Sequence, residues 1–391
     1  MGSSRSVSRP LRLGIDASNL RAGGGVTHLA ELLASAHPVD HGFSEVVVWG
    51  GAETLSRLQK PAWLRAVHVD ACERGVFSRL AWQRTRLDRA ARDACDVLFV
   101  PGGTYLGDFQ PFVTVCQNLL PFDRGERRRY GISWVRLRLE VLSRLQASTF
   151  RRAAGVIFLT QTAQQTVEAQ TGPLEGAKVV IPHGIAARFF REPAAGNQGS
   201  APPARDRSFH WCYVSIVDVY KHQDKVVEAV ACLRAAGIRA SLELIGPAYG
   251  PFLSRVKRVV ARVDPRGEFV HYRGAVPYDD LPKSYQRADG FVFASSCETM
   301  SNILLEAMAS GLPIVCSNRG VMPEVLGDAG ILCDPEDVHG ITEAMRLMIE
   351  DHGMRLRYAE RAFKRAMQYS WKHCAAETLT FIASCVGRQR N

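Results

Sequence analysis

Residues 291–315 read FVFASSCETMSNILLEAMASGLPIV, and the pattern is strand, loop, helix, turn, strand. Residues 291–294 are apolar and strand-like, and residues 295–299 are small, polar and turn-prone. From Met300 to Ala309 apolar residues recur at helical spacing; Gly311 ends the helix and Pro313 bars its continuation. Such a unit lays the free N–H groups of a helix N-terminus at the carboxyl edge of a parallel sheet, a ready anion site. Glu298 and Glu306 bracket the helix start, eight positions apart, and Glu306 shares a face with Asn302 one turn earlier. Carboxylates beside a phosphate site accept hydrogen bonds from hydroxyls, as on a ribose or a hexose. One reading is therefore a site for a phosphate-linked sugar. The other is a buried crossover whose glutamates are caps or surface groups, and the spacing alone leaves both open.

The surroundings of this stretch repeat its α/β rhythm. Upstream, residues 210–216 (HWCYVSI), 241–247 (SLELIGP) and 269–274 (FVHYRG) read as strands. Helices are expected over 225–236 and 281–288. Downstream come a glycine turn into a short helix at 318–324, a strand at 330–333, and helices over 335–349 and 354–367. One more helix follows Ser370-Trp371. Residues 192–208 (EPAAGNQGSAPPARDRS) are Pro/Ala/Gly-rich and polar, the clearest linker in the chain. The N-terminal half opens with a strand at 11–15 and a glycine loop, Gly23, Gly24 and Gly25, before an amphipathic helix. Buried strands follow at 46–49, 96–100, 114–120 and 156–160. The glycine loop is not G-x-G-x-x-G, and no acidic residue follows at the dinucleotide position, which disfavours an NAD site. The expected domains are 1–190 and 209–371, joined by a linker over 191–208, with 372–391 as a last helix.

Composition sets the class. The 391 residues, 46% hydrophobic and 23% charged, suit a globular chain with two cores. A formal net charge of +10 favours acidic partners. Ten cysteines stand singly, with no C-x-x-C and no Cys/His cluster at metal spacing, which reads as buried reduced thiols. Residues 1–10 are polar and lack the apolar core of a signal peptide, and no apolar run approaches a membrane span. A cytoplasmic protein is expected. Residues 124–154 are the most basic part, with nine arginines against Glu126 and Glu140. Trp134, Leu137, Val141 and Leu145 recur there at helical spacing. Two readings stand: a basic amphipathic helix lying on an anionic bilayer at the inner face of the membrane, or a packed helix with a solvated charged face. Aromatics are too few, and no recognition module is visible, for nucleic acid to be a partner.

The spacing E-x7-E after a strand, running into EAMASGLPIV, resembles the donor-binding signature of the retaining glycosyltransferases of family 4, which have the GT-B fold. The likeness is densest from about Tyr213 to Asp334. It implies two Rossmann-like doubly wound α/β domains facing a cleft, the last helix packing back on the first domain. It further implies transfer of a hexosyl unit from a nucleotide-diphosphate sugar to a saccharide or lipid-linked acceptor, with retention; no D-x-D metal motif sits in a plausible donor loop, so transfer without a metal or other cofactor is expected. By the same likeness Glu298 contacts sugar hydroxyls, Glu306 the ribose, and Lys221 the diphosphate. Met300, Ser301, Asn302, Ile303 and Ser215 line the donor site, and Gly24 and Gly25 the acceptor and phosphate loop. Ser215-Ile216 stands where the family usually has Gly-Arg, so the second cation of the diphosphate clamp is missing. Asn118 stands near the transferred sugar, where the family often has histidine, and a polar contact is carried over to it. Competing classes are a non-enzymatic nucleotide- or polyanion-binding protein and a GT-B-like epimerase or phosphorylase. No lysine motif for pyridoxal phosphate is found for the last.

Overall fold

The computed structural model describes residues 9–21, 23–193 and 207–387. Most of the expected linker at 191–208 and of the polar tail at 1–10 therefore lies outside the described residues. The chain divides into two units: Met1–Phe122 with Arg138–Gly184 and Trp371–Asn391, and Asp123–Leu137 with Ile185–Ser370.

The first unit is built on a seven-stranded parallel sheet in the order β3-β2-β1-β4-β5-β6-β7. Its strands are β1 (Leu11–Asp16), β2 (Phe43–Gly50), β3 (Leu64–His68), β4 (Val97–Val100), β5 (Phe112–Val115), β6 (Gly155–Phe158) and β7 (Ala177–Val180). Every residue of β4, β5 and β6 is buried, which is why they read as unbroken apolar runs: helices cover both faces of a parallel sheet. In β1, Ile15 lies between Val48 and Phe99. The helix Trp371–Gly387 belongs to this unit although it comes last in the chain. It packs against β4, β5, β6 and the helix Gly24–Ala34. Trp371, Cys374, Thr378, Ile382 and Cys385 form its buried stripe, at i, i+3 and i+4 spacing.

The second unit carries six parallel strands in the order β10-β9-β8-β11-β12-β13. They are β8 (Phe209–Val214), β9 (Ala240–Ile245), β10 (Val270–Gly274), β11 (Gly290–Phe293), β12 (Ile314–Ser317) and β13 (Ile331–Cys333). In each unit the strand order reverses beside the first strand, between β1 and β4 and between β8 and β11. The carboxyl ends at such a switch point are where open α/β sheets bind ligands.

The domain boundary differs from the expected 1–190. Residues 123–137 and 185–190 lie with the second unit. Arg129 holds Glu336 through two hydrogen bonds of 2.6 and 2.9 Å and Glu126 at 2.7 Å. The Tyr130 hydroxyl donates to Asp218 at 3.0 Å. The Ser310 hydroxyl donates to the Phe189 carbonyl at 3.2 Å. Polar ties of this kind carry no periodicity and are silent in the sequence. All ten cysteines are free thiols and eight are buried.

Candidate functional site

The loop after β8 is fixed by its own polar groups. Asp218 accepts from the Val219 N–H at 2.7 Å, opening the tight turn Val219–Lys221. The Tyr213 hydroxyl donates to the Lys221 carbonyl at 2.5 Å. His222 follows in the left-handed region, φ 51°, strained for a residue with a side chain, and its Nε2 bonds Ser296 Oγ at 3.0 Å. The Ser296 N–H reaches the Tyr220 carbonyl at 2.9 Å, so the β8 and β11 loops are laced together. This brings Lys221 to Glu298. The ammonium, on a residue 3% exposed, forms an ion pair with Glu298 Oε1 and lies 4.9 and 5.0 Å from the Tyr220 and Phe293 rings. Ser295 Oγ donates to the same carboxylate at 2.7 Å. A buried ammonium is costly to desolvate, and Glu298 with the two rings offsets that cost. Ser215 is buried and accepts from Gln223 Nε2 at 2.9 Å; its carbonyl leaves no room for a side chain at Gly246, φ 141°. Its contacts are those of a loop anchor.

Glu306 sits on the helix Asn302–Ala309, which the Ser301 hydroxyl caps by accepting from the Leu304 N–H at 3.3 Å. Met300 is buried at its start, and Asn302 and Ile303 are half-buried. Glu306 is itself buried, and the hydroxyls of Tyr278 and Tyr285 each donate to one of its oxygens at 3.0 Å. Burial pushes its carboxyl up to about 7, against the two tyrosines and the nearby Arg188. Arg188 lies 4.6 Å from the Tyr278 ring. Tyr278, Tyr285 and Arg188 were not legible as site residues. The signal available was two tyrosines seven apart on the segment feeding β11.

Beside His222 lies a cavity of about 230 Å³ lined by Arg129, Lys225, Arg255, Asp224 and Glu336, among others. Its cations are already neutralised, Arg255 by Asp224 at 2.7 Å and Lys225 by Glu228 at 3.3 Å. Burial and Arg129 push the His222 imidazole down to about 4. Among the described residues, no group of three or more His, Cys, Asp or Glu side chains could hold a metal ion, and no helix is long and apolar enough to cross a membrane.

The remaining expected residues belong to the first unit. Gly24 and Gly25 begin the helix Gly24–Ala34; it is Gly23 before them that takes a positive φ, 73°. Asn118 is exposed, and its Oδ1 accepts from the Leu120 N–H at 3.0 Å. Its neighbour Gln117 turns inward and bonds His28 Nδ1 at 2.5 Å. His28 is stacked 4.5 Å from His183 and held neutral by burial.

Residues 201–365 match the family described as glycosyl transferases group 1. O-antigen chain mannosyltransferase B of Escherichia coli is 40% identical over 114 residues, 29% of this chain and 30% of that protein. The chain spans from 15% to 61% of the length of the curated relatives it matches. Sucrose-phosphate synthase from Thermosynechococcus elongatus superposes with a TM-score of 0.73 at 16% identity, over 97% of this chain and 99% of that one. The Anabaena protein HepE, solved with UDP and glucose, gives 0.68 at 17% identity over 96% and 100%. At these identities the likeness establishes the fold, and GT-B is the fold the sequence led us to expect. The E-x7-E stretch lies inside the segment, residues 201–365, that matches the glycosyl transferases group 1 family.

Proposed function

We propose that the chain moves a hexosyl unit from a nucleotide-diphosphate sugar to a saccharide or lipid-linked acceptor, with retention at the anomeric carbon and without a metal. The observation that carries this is the ion pair of buried Lys221 with half-buried Glu298 at the β8/β11 switch point, beside the helix that bears Glu306. An arriving diphosphate competes for the ammonium, and Glu298, released from it, accepts from sugar hydroxyls. Glu306 takes the ribose. The acceptor oxygen bonds to the anomeric carbon as the bond from that carbon to the diphosphate breaks. The diphosphate leaves with the electron pair, and the acceptor's hydroxyl proton leaves with it. Lys221 and the first-turn N–H groups from Ser301 to Ile303 stabilise the departing charge. The acceptor then falls to the first unit, with Gly24, Gly25 and Asn118 beside it. The Escherichia coli relative, named as a mannosyltransferase, and the Anabaena protein solved with UDP and glucose support a sugar-nucleotide donor.

A thermal-shift panel of UDP-, GDP-, dTDP- and ADP-sugars tests this. A ligand at a hundredfold its Kd adds about 2.7 kcal/mol, and one series should stand out. No stabilisation by any, and no sugar-nucleotide hydrolysis, would return the chain to the polyanion-binding class.

We also propose that the protein docks on the anionic inner face of a membrane. The helix Trp134–Arg152 turns its apolar stripe outward: Trp134 is 79%, Leu137 51% and Val141 48% exposed, with Ile132 fully exposed just before it. Exposed Arg136, Arg138 and Arg144 share the helix. Arginine heads beside apolar side chains suit a phospholipid interface.

A further inference from the structure

Among the described residues, Arg79 is a cation without a counter-ion. It lies on the helix Val76–Trp82 of the first unit and is 8% exposed. Its Nε and Nη1 are shielded from solvent and have no hydrogen-bond partner among the described residues. Other buried cations are provided for: Lys221 has Glu298, and Arg355, equally buried, donates to the Met348 and Ile349 carbonyls at 2.9 Å. An unpaired buried charge is among the costliest features a fold can keep. A group retained at that cost calls for an anion that joins it.

Its position says where. Gln83 lies four residues on, hence on the same side of the helical run, and donates to Asp16 Oδ2 at 2.5 Å. Asp16 ends β1, so Arg79 stands beside the switch point of the first sheet. Gln83 opens a π-helical turn, Gln83–Leu87, a distortion that recurs at functional sites. The charges that act on Arg79 do not neutralise it: after burial come Arg21, in the loop that follows β1, and Arg138, and all three effects pull its pKa down. The nearby Cys72 thiol acts in the other sense, but burial pushes that thiol up to about 11, which keeps it neutral. The geometric fact is Arg79 itself, buried with two unpartnered nitrogens beside the carboxyl edge of β1 where this unit would bind a ligand.

We propose that Arg79 is an oxyanion subsite that receives a phosphate or carboxylate group carried by the acceptor. A guanidinium offers fixed N–H donors matched to either group. The subsite stands on the geometry of the first unit; assigning its anion to an acceptor rests on the proposed glycosyl transfer.

The test is thermal shift and calorimetry in phosphate-free buffer on the full chain and on Arg79→Met, with glucose 6-phosphate, glucuronate, inorganic phosphate and glucose as probes. The wild type should respond to at least one anionic sugar and not to glucose. Phosphate against glucuronate tells which oxyanion is preferred. Arg79→Met should lose that response, with affinity down at least about tenfold (about 1.4 kcal/mol). Without added anion its melting temperature should be no lower than wild type, because a buried charge has been removed. Arg79→Lys should keep a weakened response. An equal response in wild type and Arg79→Met would overturn the proposal, and so would a melting temperature of the methionine variant below wild type in anion-free buffer. Sugar-nucleotide stabilisation is measured in the same samples and should survive the substitution. Its absence in every sample, with the Arg79-dependent response intact, would remove the glycosyl-transfer reading and leave the subsite standing.

Discussion

Glu306 couples the candidate donor site to pH. Its carboxyl, raised to about 7, holds its proton in the folded protein where an unfolded chain has already released it. Ionising it therefore costs stability progressively as pH rises from the ordinary carboxylate range to about 7. Ribose hydroxyls donate best to the ionised form, so nucleotide affinity should rise with pH through about 7 and level off above. One pH unit below that point the loss is up to about tenfold. Calorimetry at pH 6 and 8 checks this, and Glu306→Gln should bind weakly with no pH slope. A wild type that binds equally at both would take the carboxylate out of nucleotide recognition. Lys221 makes the second prediction at this scale. Lys221→Ala should lower turnover by at least about tenfold, roughly 1.4 kcal/mol, measured per folded molecule. A near wild-type rate would mean that another cation meets the diphosphate. Glu298 and Glu306 stood out as candidates through the E-x7-E motif, since their spacing around a helix start fits caps as well. The tyrosines on Glu306 were not legible, since they stand 28 and 21 residues earlier.

The helix Trp134–Arg152 shows what periodicity can and cannot say. The recurrence of Trp134, Leu137, Val141 and Leu145 is helical, as read, but a period does not say which side faces the core. Leu139, Gln146, Thr149 and Phe150 are the buried positions, and the tryptophan stripe looks outward. Each basic residue near an anionic surface adds about 1 kcal/mol of attraction, screened by salt. The chain should therefore co-sediment with anionic vesicles at low salt and much less with neutral ones. Trp134→Ser with Leu137→Ser should abolish the residual binding at high salt. Equal binding to both vesicle types, or none to either, would leave the arginines as an ordinary solvated face and favour a soluble acceptor. The core strands were readable for the opposite reason: buried on both faces, they are apolar throughout. β3, half-buried at the sheet edge, lacks that signature and was missed.

Across the molecule, the doubly wound pattern in each half and the C-terminal return were legible, while the boundary within 123–137 was not. It is drawn by Arg129 and Tyr130 reaching partners about ninety to two hundred residues away. If Lys221 and the helix start meet the diphosphate unaided, chelation with EDTA should leave the transfer rate unchanged. A loss restored by a divalent ion would refute the metal-free route. The last helix has a consequence for synthesis. Phe381 and Cys385 lie where a side chain at Gly155 would be, so the wall of β6 stays bare until the final segment arrives. All that the second unit needs, through Ser370, is made before Trp371. On the ribosome the half that begins first must therefore finish last, waiting with an open apolar flank while its neighbour is already complete.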